Sequence, residues 1–302
     1  MGYDFYTADV FTNRIFGGNQ LAVFPHGEGL NSQQMQQIAK EFNFSETVFV
    51  FPPQTPKGTC RLRIFTPGSE IPFAGHPTIG AAHILASIGE IPLQGEITNI
   101  VFEEEVGPVP VKILAKEGKP VYTELTAAQL PEFGPKPPPI ADLAPMLSLE
   151  PDCLLDGDNY PQAVSCGVPF LFIPLRDRDA LGRAQLNKEL WKKLLQSYWT
   201  SKVYIFTWDS EFNVSDLCSR MFAPGIGVEE DPATGSAAAA LAGYLGSRDR
   251  LADGTLKWSV EQGVEMGRPS LLQVEADKEN DRIKAVRVGG ASVLVCQGTF
   301  NL

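Results

Sequence analysis

Polar and apolar positions alternate through TADVFT toward Phe11, the two-residue period of a strand. The period then changes. In SQQMQQIAKEF, Met35, Ile38, Ala39 and Phe42 recur at i, i+3, i+4 and i+7, which predicts a helix with one apolar face, capped by Asn31 or Ser32. ETVFVF and CRLRIF are β-rich runs. HPTIGAAHILASIG reads as a second helix, with Pro77 suited to a first turn and Gly89 to the stop. Farther along, LNKELWKKLLQSYW gathers Leu190, Trp191, Leu194, Leu195 and Tyr198 on one broad face, a pattern of core packing rather than membrane or partner docking.

The strand–turn–helix unit is written twice. RIFTPGSEIPFAGHP begins at Arg63 and RMFAPGIGVEEDPATGSA at Arg220, with Arg, Phe, Pro and Gly matching one for one. After an insertion of three residues, Glu70, Pro72 and Gly75 match Glu230, Pro232 and Gly235, and within the helices Ala82 and Leu85 match Ala242 and Leu245. This spacing indicates an internal duplication, too long in period for a solenoid. LPEFGPKPPPIADLAP holds the stiff, donor-poor proline run of a linker. The expected lobes are therefore 1–130 and 131–302, with the strands of AVRVGGASVLVCQGTF free to pair with either. Two such lobes are expected to face a common cleft, where ligand sites concentrate.

Composition narrows the function. A chain of 302 residues is long enough for two domains, and 43% apolar with 20% charged residues is ordinary for a soluble globular protein. A net charge of −11 repels phosphate backbones, so nucleic-acid binding is not expected. MGYDFYTADVFTNRIF has no basic segment leading into an apolar one, and no apolar run reaches the ~18 residues of a membrane helix. Tyr6 stands where a myristoylation signal needs Ser or Thr. Five scattered cysteines without a Cys-x-x-Cys read as reduced thiols of a cytoplasmic protein. With three histidines and no paired cysteines, no structural zinc or other metal is expected.

Chemistry gathers at the two helix starts. Gly235-Ser236 opens an alanine-rich helix whose free first-turn N–H groups and dipole suit an anion, with the Ser236 hydroxyl as a further donor. Gly75-His76 repeats the arrangement. Such a pair suits a small carboxylate-bearing substrate, although Asp231, Thr234 and Ser236 also read as ordinary caps. Glu46, in FNFSETVFV, sits between a helix and an apolar strand. A carboxyl in apolar surroundings works as an acid–base group near neutrality, and the same position equally suits a strand start. Among the remaining candidates, Asn19 reads as a turn cap, His26 as solvated and His83 as packed. Arg14 is available to a substrate anion. Glu229 and Glu230 favour the helix dipole, and Cys166 is a structural thiol before a glycine turn.

Taken together, DVFTNRIFGGNQLAVF, QQIAKEFNFSETVFV, RIFTPGSEIPFAGHPTIGAAHILA, EEDPATGSAAAALAGYL and QGVEMGRPS resemble the successive motifs of the PhzF (phenazine-biosynthesis-like) isomerases, in order and over most of the chain. The resemblance implies an α+β, diaminopimelate-epimerase-like fold: two similar lobes, each a mixed β-barrel around a central helix. It implies a homodimer and a cofactor-free proton shift on an unsaturated carboxylic acid. Glu46 would be the general acid–base group and His76, Asp231 and Ser236 its companions, with Gly75 lining the site and the Asn19 loop near it. Neither helix start carries a cysteine, which disfavours two-thiol racemisation. A racemase with carboxyl bases and a non-catalytic binding or regulatory protein stay open as alternatives.

Overall fold

The computed structural model describes residues 2–210 and 215–302. The chain packs as two compact units. The first runs to Ala128 and takes in Val288–Leu302; the second is Gln129–Arg287.

In the first unit the order is β1 (Gly2–Val10), β2 (Asn19–Phe24), α1 (Ser32–Phe42), β3 (Glu46–Phe51), β4 (Cys60–Phe65), β5 (Glu70–Ile71), α2 (Gly75–Ser87), β6 (Ile97–Glu104), β7 (Gly107–Lys116) and β8 (Lys119–Thr126). The second unit continues with β9 (Glu132–Phe133), α3 (Ile140–Met146), β10 (Gln162–Ser165), β11 (Pro169–Pro174), α4 (Arg178–Arg183), α5 (Lys188–Leu195), β12 (Val203–Thr207), β13 (Leu217–Ala223), β14 (Val228–Asp231), α6 (Gly235–Gly246), β15 (Gly254–Gln262) and β16 (Ser270–Glu279). β17 (Arg282–Gly290) then leads to β18 (Ser292–Asn301), which lies antiparallel to β1 in the first unit.

The two units share one pairing scheme. In the first, β1–β2 is antiparallel, β2–β3 parallel, β3–β4 antiparallel, β4–β6 parallel and β6–β7 antiparallel, with β5 folded back on β4. In the second, β10–β11, β11–β12, β12–β13, β13–β15 and β15–β16 repeat those senses in order, with β14 folded back on β13. A parallel pair needs a long crossover, and in each unit a helix supplies it: α1 and α2 in the first, α4 with α5 and then α6 in the second. The duplication read from two turns thus extends through five ladders.

The central helices explain themselves by composition. α2 (GHPTIGAAHILAS) and α6 (GSAAAALAGYLG) are apolar all round, as a helix enclosed by sheet must be. In α2 every residue from Gly75 to Ala86 is buried; in α6 every residue except Ser236 is. Helix α1 is different, being amphipathic, and it begins with a capping box between Asn31 and Gln34. Its apolar face joins Phe24, Phe49 and Phe65 in a core onto which Phe5, Phe42 and Phe300 pack. Leu190, Trp191, Leu194, Leu195 and Tyr198 pack into the core of the second unit, as the helical spacing predicts. No helix among the described residues is long and apolar enough to cross a membrane.

Candidate active site

In the first unit the site is built on three neighbouring elements. Glu46 opens β3, where parallel pairing sets it opposite Leu21 of β2. Asn19 opens β2, is buried and reaches His76. His76 is the second residue of α2 and is 3% exposed. Asn19 Nδ2 lies 3.3 Å from His76 Nδ1, and Glu46 Oε2 lies 3.2 Å from His76 Nε2, in contact though off hydrogen-bond alignment. Burial pushes the His76 pKa down to about 3, and the Gln20 backbone beside it offsets only part of this. The ring is therefore neutral at physiological pH. The Asn19 amide and the Gln20 backbone both meet the ring, which leaves Nε2 facing Glu46.

The α2 cap, Ala74, makes no side-chain bond to the first turn, so the N–H groups there are not consumed by a cap. Four residues on from Ala74, the Thr78 hydroxyl lies 2.7 Å from the Ala74 carbonyl and 2.6 Å from Oε1 of Glu104, a buried acid at the end of β6.

The second unit assembles a different set around the start of α6. Asp231 ends β14, is buried, and accepts the Thr234 hydroxyl at 2.5 Å. Gln262, at the end of β15, ties the turn together. Its Nε2 donates to the Asp231 carbonyl at 2.7 Å and to Thr234 Oγ1 at 3.1 Å, while its Oε1 accepts from the Thr234 N–H at 3.2 Å. Tyr204 donates to Ser219 Oγ at 2.8 Å beside it. Gly263 follows with φ of +79°, and a Cβ there would fall 2.5 Å from the Pro232 carbonyl oxygen, so the turn requires glycine. Ser236 remains half-exposed in the first turn of α6, and the cap Thr234 makes no side-chain bond to that turn.

Other candidates separate from these clusters. Glu229 and Glu230 form ion pairs with Lys188 and Arg220 instead of serving the α6 dipole alone. His26 is exposed and contacts Glu90 at 3.3 Å, while Arg14 is exposed. His83 is buried in α2, its pKa lowered to about 4 by burial. The Cys166 thiol donates to the Ala239 carbonyl, and burial pushes its pKa up to about 12. Among the described residues no group of three or more His, Cys, Asp or Glu side chains is arranged to hold a metal.

Against known proteins, the family profile described as phenazine biosynthesis-like protein matches residues 8–298. The chain belongs to this family. An uncharacterized isomerase from Mesorhizobium japonicum is 39% identical over 293 residues, covering 96% of each chain. The trans-2,3-dihydro-3-hydroxyanthranilate isomerase of Pseudomonas aeruginosa is 32% identical over 291 residues, again 96% of each. Among solved structures, a PhzF-family protein of Bacillus anthracis superposes over 100% of both chains with a TM-score of 0.88 at 23% identity, which shows the fold. The chain is an isomerase of the PhzF family, with the two-lobed, diaminopimelate-epimerase-like fold.

Sequence reasoning missed Thr78, Glu104, Thr234's bond to Asp231 and Gln262. Strand alternation held a signal for two of them. In β6 the inward positions are Thr98, Ile100, Phe102 and then Glu104; in β15 Val260 is followed by Gln262. A polar residue on the inward phase of a strand is the feature to look for.

Proposed function

We propose that this isomerase shifts a proton between carbons of a small unsaturated carboxylic acid without a cofactor, with Glu46 as the acid–base group. The observation that carries the reading is the Glu46 contact with a histidine that burial keeps neutral. A neutral His76 is a poor ion-pair partner, so its ring sits 3.2 Å from Glu46 Oε2 without neutralising the carboxylate. The Glu46 carboxylate takes the proton from carbon. The C–H electrons become a new C=C bond as the old double bond moves along the chain. The far alkene carbon then recovers the proton from Glu46, so atoms and charge balance with no oxidant or reductant.

Binding groups complete the assignment. The first-turn N–H groups near Gly75 and Gly235 suit the substrate carboxylate. Ser236 and Asp231 serve its hydroxyl or amino substituents, and Asn19 holds the His76 ring in place. The name of the Pseudomonas aeruginosa relative supplies the first compound to try, trans-2,3-dihydro-3-hydroxyanthranilate, a ring diene carrying carboxylate, amino and hydroxyl groups.

The test is to incubate the wild-type chain in D₂O with that compound and with a panel of unsaturated and α-amino carboxylic acids, reading products by NMR. Double-bond migration with deuterium at the new sp³ carbon supports the proposal. Exchange at an α-carbon with loss of chirality would identify a racemase instead. Tight binding with no exchange would identify a binding protein.

A further inference from the structure

Glu104 is an acid in a place that does not favour a charge. It is 7% exposed, and burial pushes its pKa up to about 8. Its Oε2 has no hydrogen-bond partner, and its Oε1 lies 2.6 Å from Thr78 Oγ1. The same Thr78 oxygen lies 2.7 Å from the Ala74 carbonyl. A threonine hydroxyl has one proton and cannot donate fully to two acceptors. A proton on Glu104 resolves this: Glu104 donates to Thr78, and Thr78 donates to Ala74, the residue that begins α2.

The duplication supplies an independent reading of the position. With Arg63 aligned on Arg220, Cys60 corresponds to Leu217. Cys60 pairs with Phe102 of β6, and Leu217 pairs with Val260 of β15. Two residues farther along each strand stand Glu104 and Gln262. Gln262 bonds Thr234, the residue that begins α6 and the counterpart of Ala74. The second unit thus fastens its helix start with an amide, which always carries both a donor and an acceptor. The first unit uses a carboxyl, which carries a donor only while protonated.

We propose that Glu104 is a positioning residue for the reaction: as the neutral acid it donates through Thr78 to the Ala74 carbonyl and so fixes the first turn of α2, which presents His76 to Glu46. The reactive role of His76 rests on the function proposed above; the coupling of Glu104 to His76 does not. Loss of the Glu104 proton forces the Thr78 hydroxyl to turn toward a carboxylate and release Ala74.

The charged neighbours are few. Glu104 lines a pocket of about 320 Å³ with Arg61 and Arg63 of β4, Glu70 of β5, and Glu103 and Glu105 on either side of it. Arg63 is paired with Glu70, and Glu103 accepts from Gln54 and Thr55. Opposite Glu104 on β7 stands Gly107. On α2 the titratable groups are His76 and His83, both neutral above pH 7.

NMR of the His76 ring in the full chain tests this, with the signal assigned by comparison with His76→Asn. As pH rises through about 8, the wild-type ring signal should show an inflection, although His76 itself does not titrate there. Glu104→Gln, which writes the second unit's solution into the first, should remove the inflection. Thr78→Val should remove it with Glu104 in place, and carries the test if Glu104→Gln does not fold. A wild-type signal flat through this range, or an inflection that persists in either variant, overturns the proposal. No substrate is needed, so the result stands whether or not Glu46 is the base. With a substrate in hand, wild-type kcat should fall above about pH 8, this fall should be absent in Glu104→Gln, and Glu104→Leu should lower kcat at every pH.

Discussion

The two units place the same ladders around the same kind of helix, yet their helix starts carry opposite chemistry. Following the ladders, Glu46 corresponds to Lys202, because Thr47 pairs with Phe65 and Val203 with Phe222. By the same steps His76 corresponds to Ser236 and Glu104 to Gln262. The first unit thus concentrates groups that gain and lose protons. The second holds neutral hydrogen-bonding groups, with Asp231 tied into them by Thr234. Lys202 does not replace the acid, since its ammonium lies 5.9 Å from the Phe170 ring centre and burial lowers its pKa. The difference teaches that duplication supplied two matching helix starts, and that the copies then diverged in the side chains set around them. Where the copies stayed alike, they stayed alike for structure. Arg63 makes a bidentate pair with Glu70 and lies over Phe65; Arg220 makes one with Glu230 and lies over Phe222.

The largest expected difference between the units is in turnover. Glu46→Gln should lower kcat by about 10²–10⁴ or more, the range of a lost acid–base group. Ser236→Ala should act chiefly on KM, by about tenfold or less, the size of one hydrogen bond. Steady-state kinetics on one substrate checks both, and the reverse ranking would dissolve the division of labour.

Next comes stability. Arg220 is buried and also donates to the carbonyls of Leu181, Gly182 and Ala184, whereas the Arg63 side chain is 21% exposed. Arg220→Ala should cost about 3–5 kcal/mol and Arg63→Ala about 1 kcal/mol or less, read from urea midpoints. Equal costs would mean that the matched pairs do equal structural work.

A third test uses pH. The folded state holds the Glu104 proton up to about pH 8, while the unfolded chain releases it near 4.5. The folded state binds more protons across that window, so stability is fully present below 4.5 and is lost as pH rises toward 8, by roughly 3–5 kcal/mol. His76 works from the other side. Its pKa is lowered from 6.5 to about 3, so its contribution is present above 6.5 and is lost as pH falls toward 3. Glu104→Gln should flatten this fall, and Gln262→Glu should create a second one. Unfolding midpoints between pH 4.5 and 8 decide, and a fall unchanged in Glu104→Gln would remove Glu104 as its source.

Much of this was legible in the chain. The repeat of Arg, Phe, Pro, Gly, Glu and Pro around the two turns marked the duplication, because those residues build an ion pair and a tight turn within ten residues of each other. Glu46 and His76 were legible as candidates because motif order named them. Their contact was not, since it depends on a parallel pairing that brings β2, β3 and the start of α2 together across 57 residues of chain. The approach of Asn19 to His76 was not legible for the same reason, since it depends on the register of β2. Glu104 and Gln262 escaped because they lie 26 and 28 residues from the threonines they bond, at strand ends where pattern reading stops.

The most direct measurement of the central claim is deuterium wash-in from D₂O at the reacting carbon, with Glu46→Gln saturated by a substrate that the wild type isomerises. The account predicts a variant that still binds the compound and incorporates no deuterium on the wild-type timescale. Wash-in at the wild-type rate would contradict it, because the proton would then be leaving through a group other than Glu46.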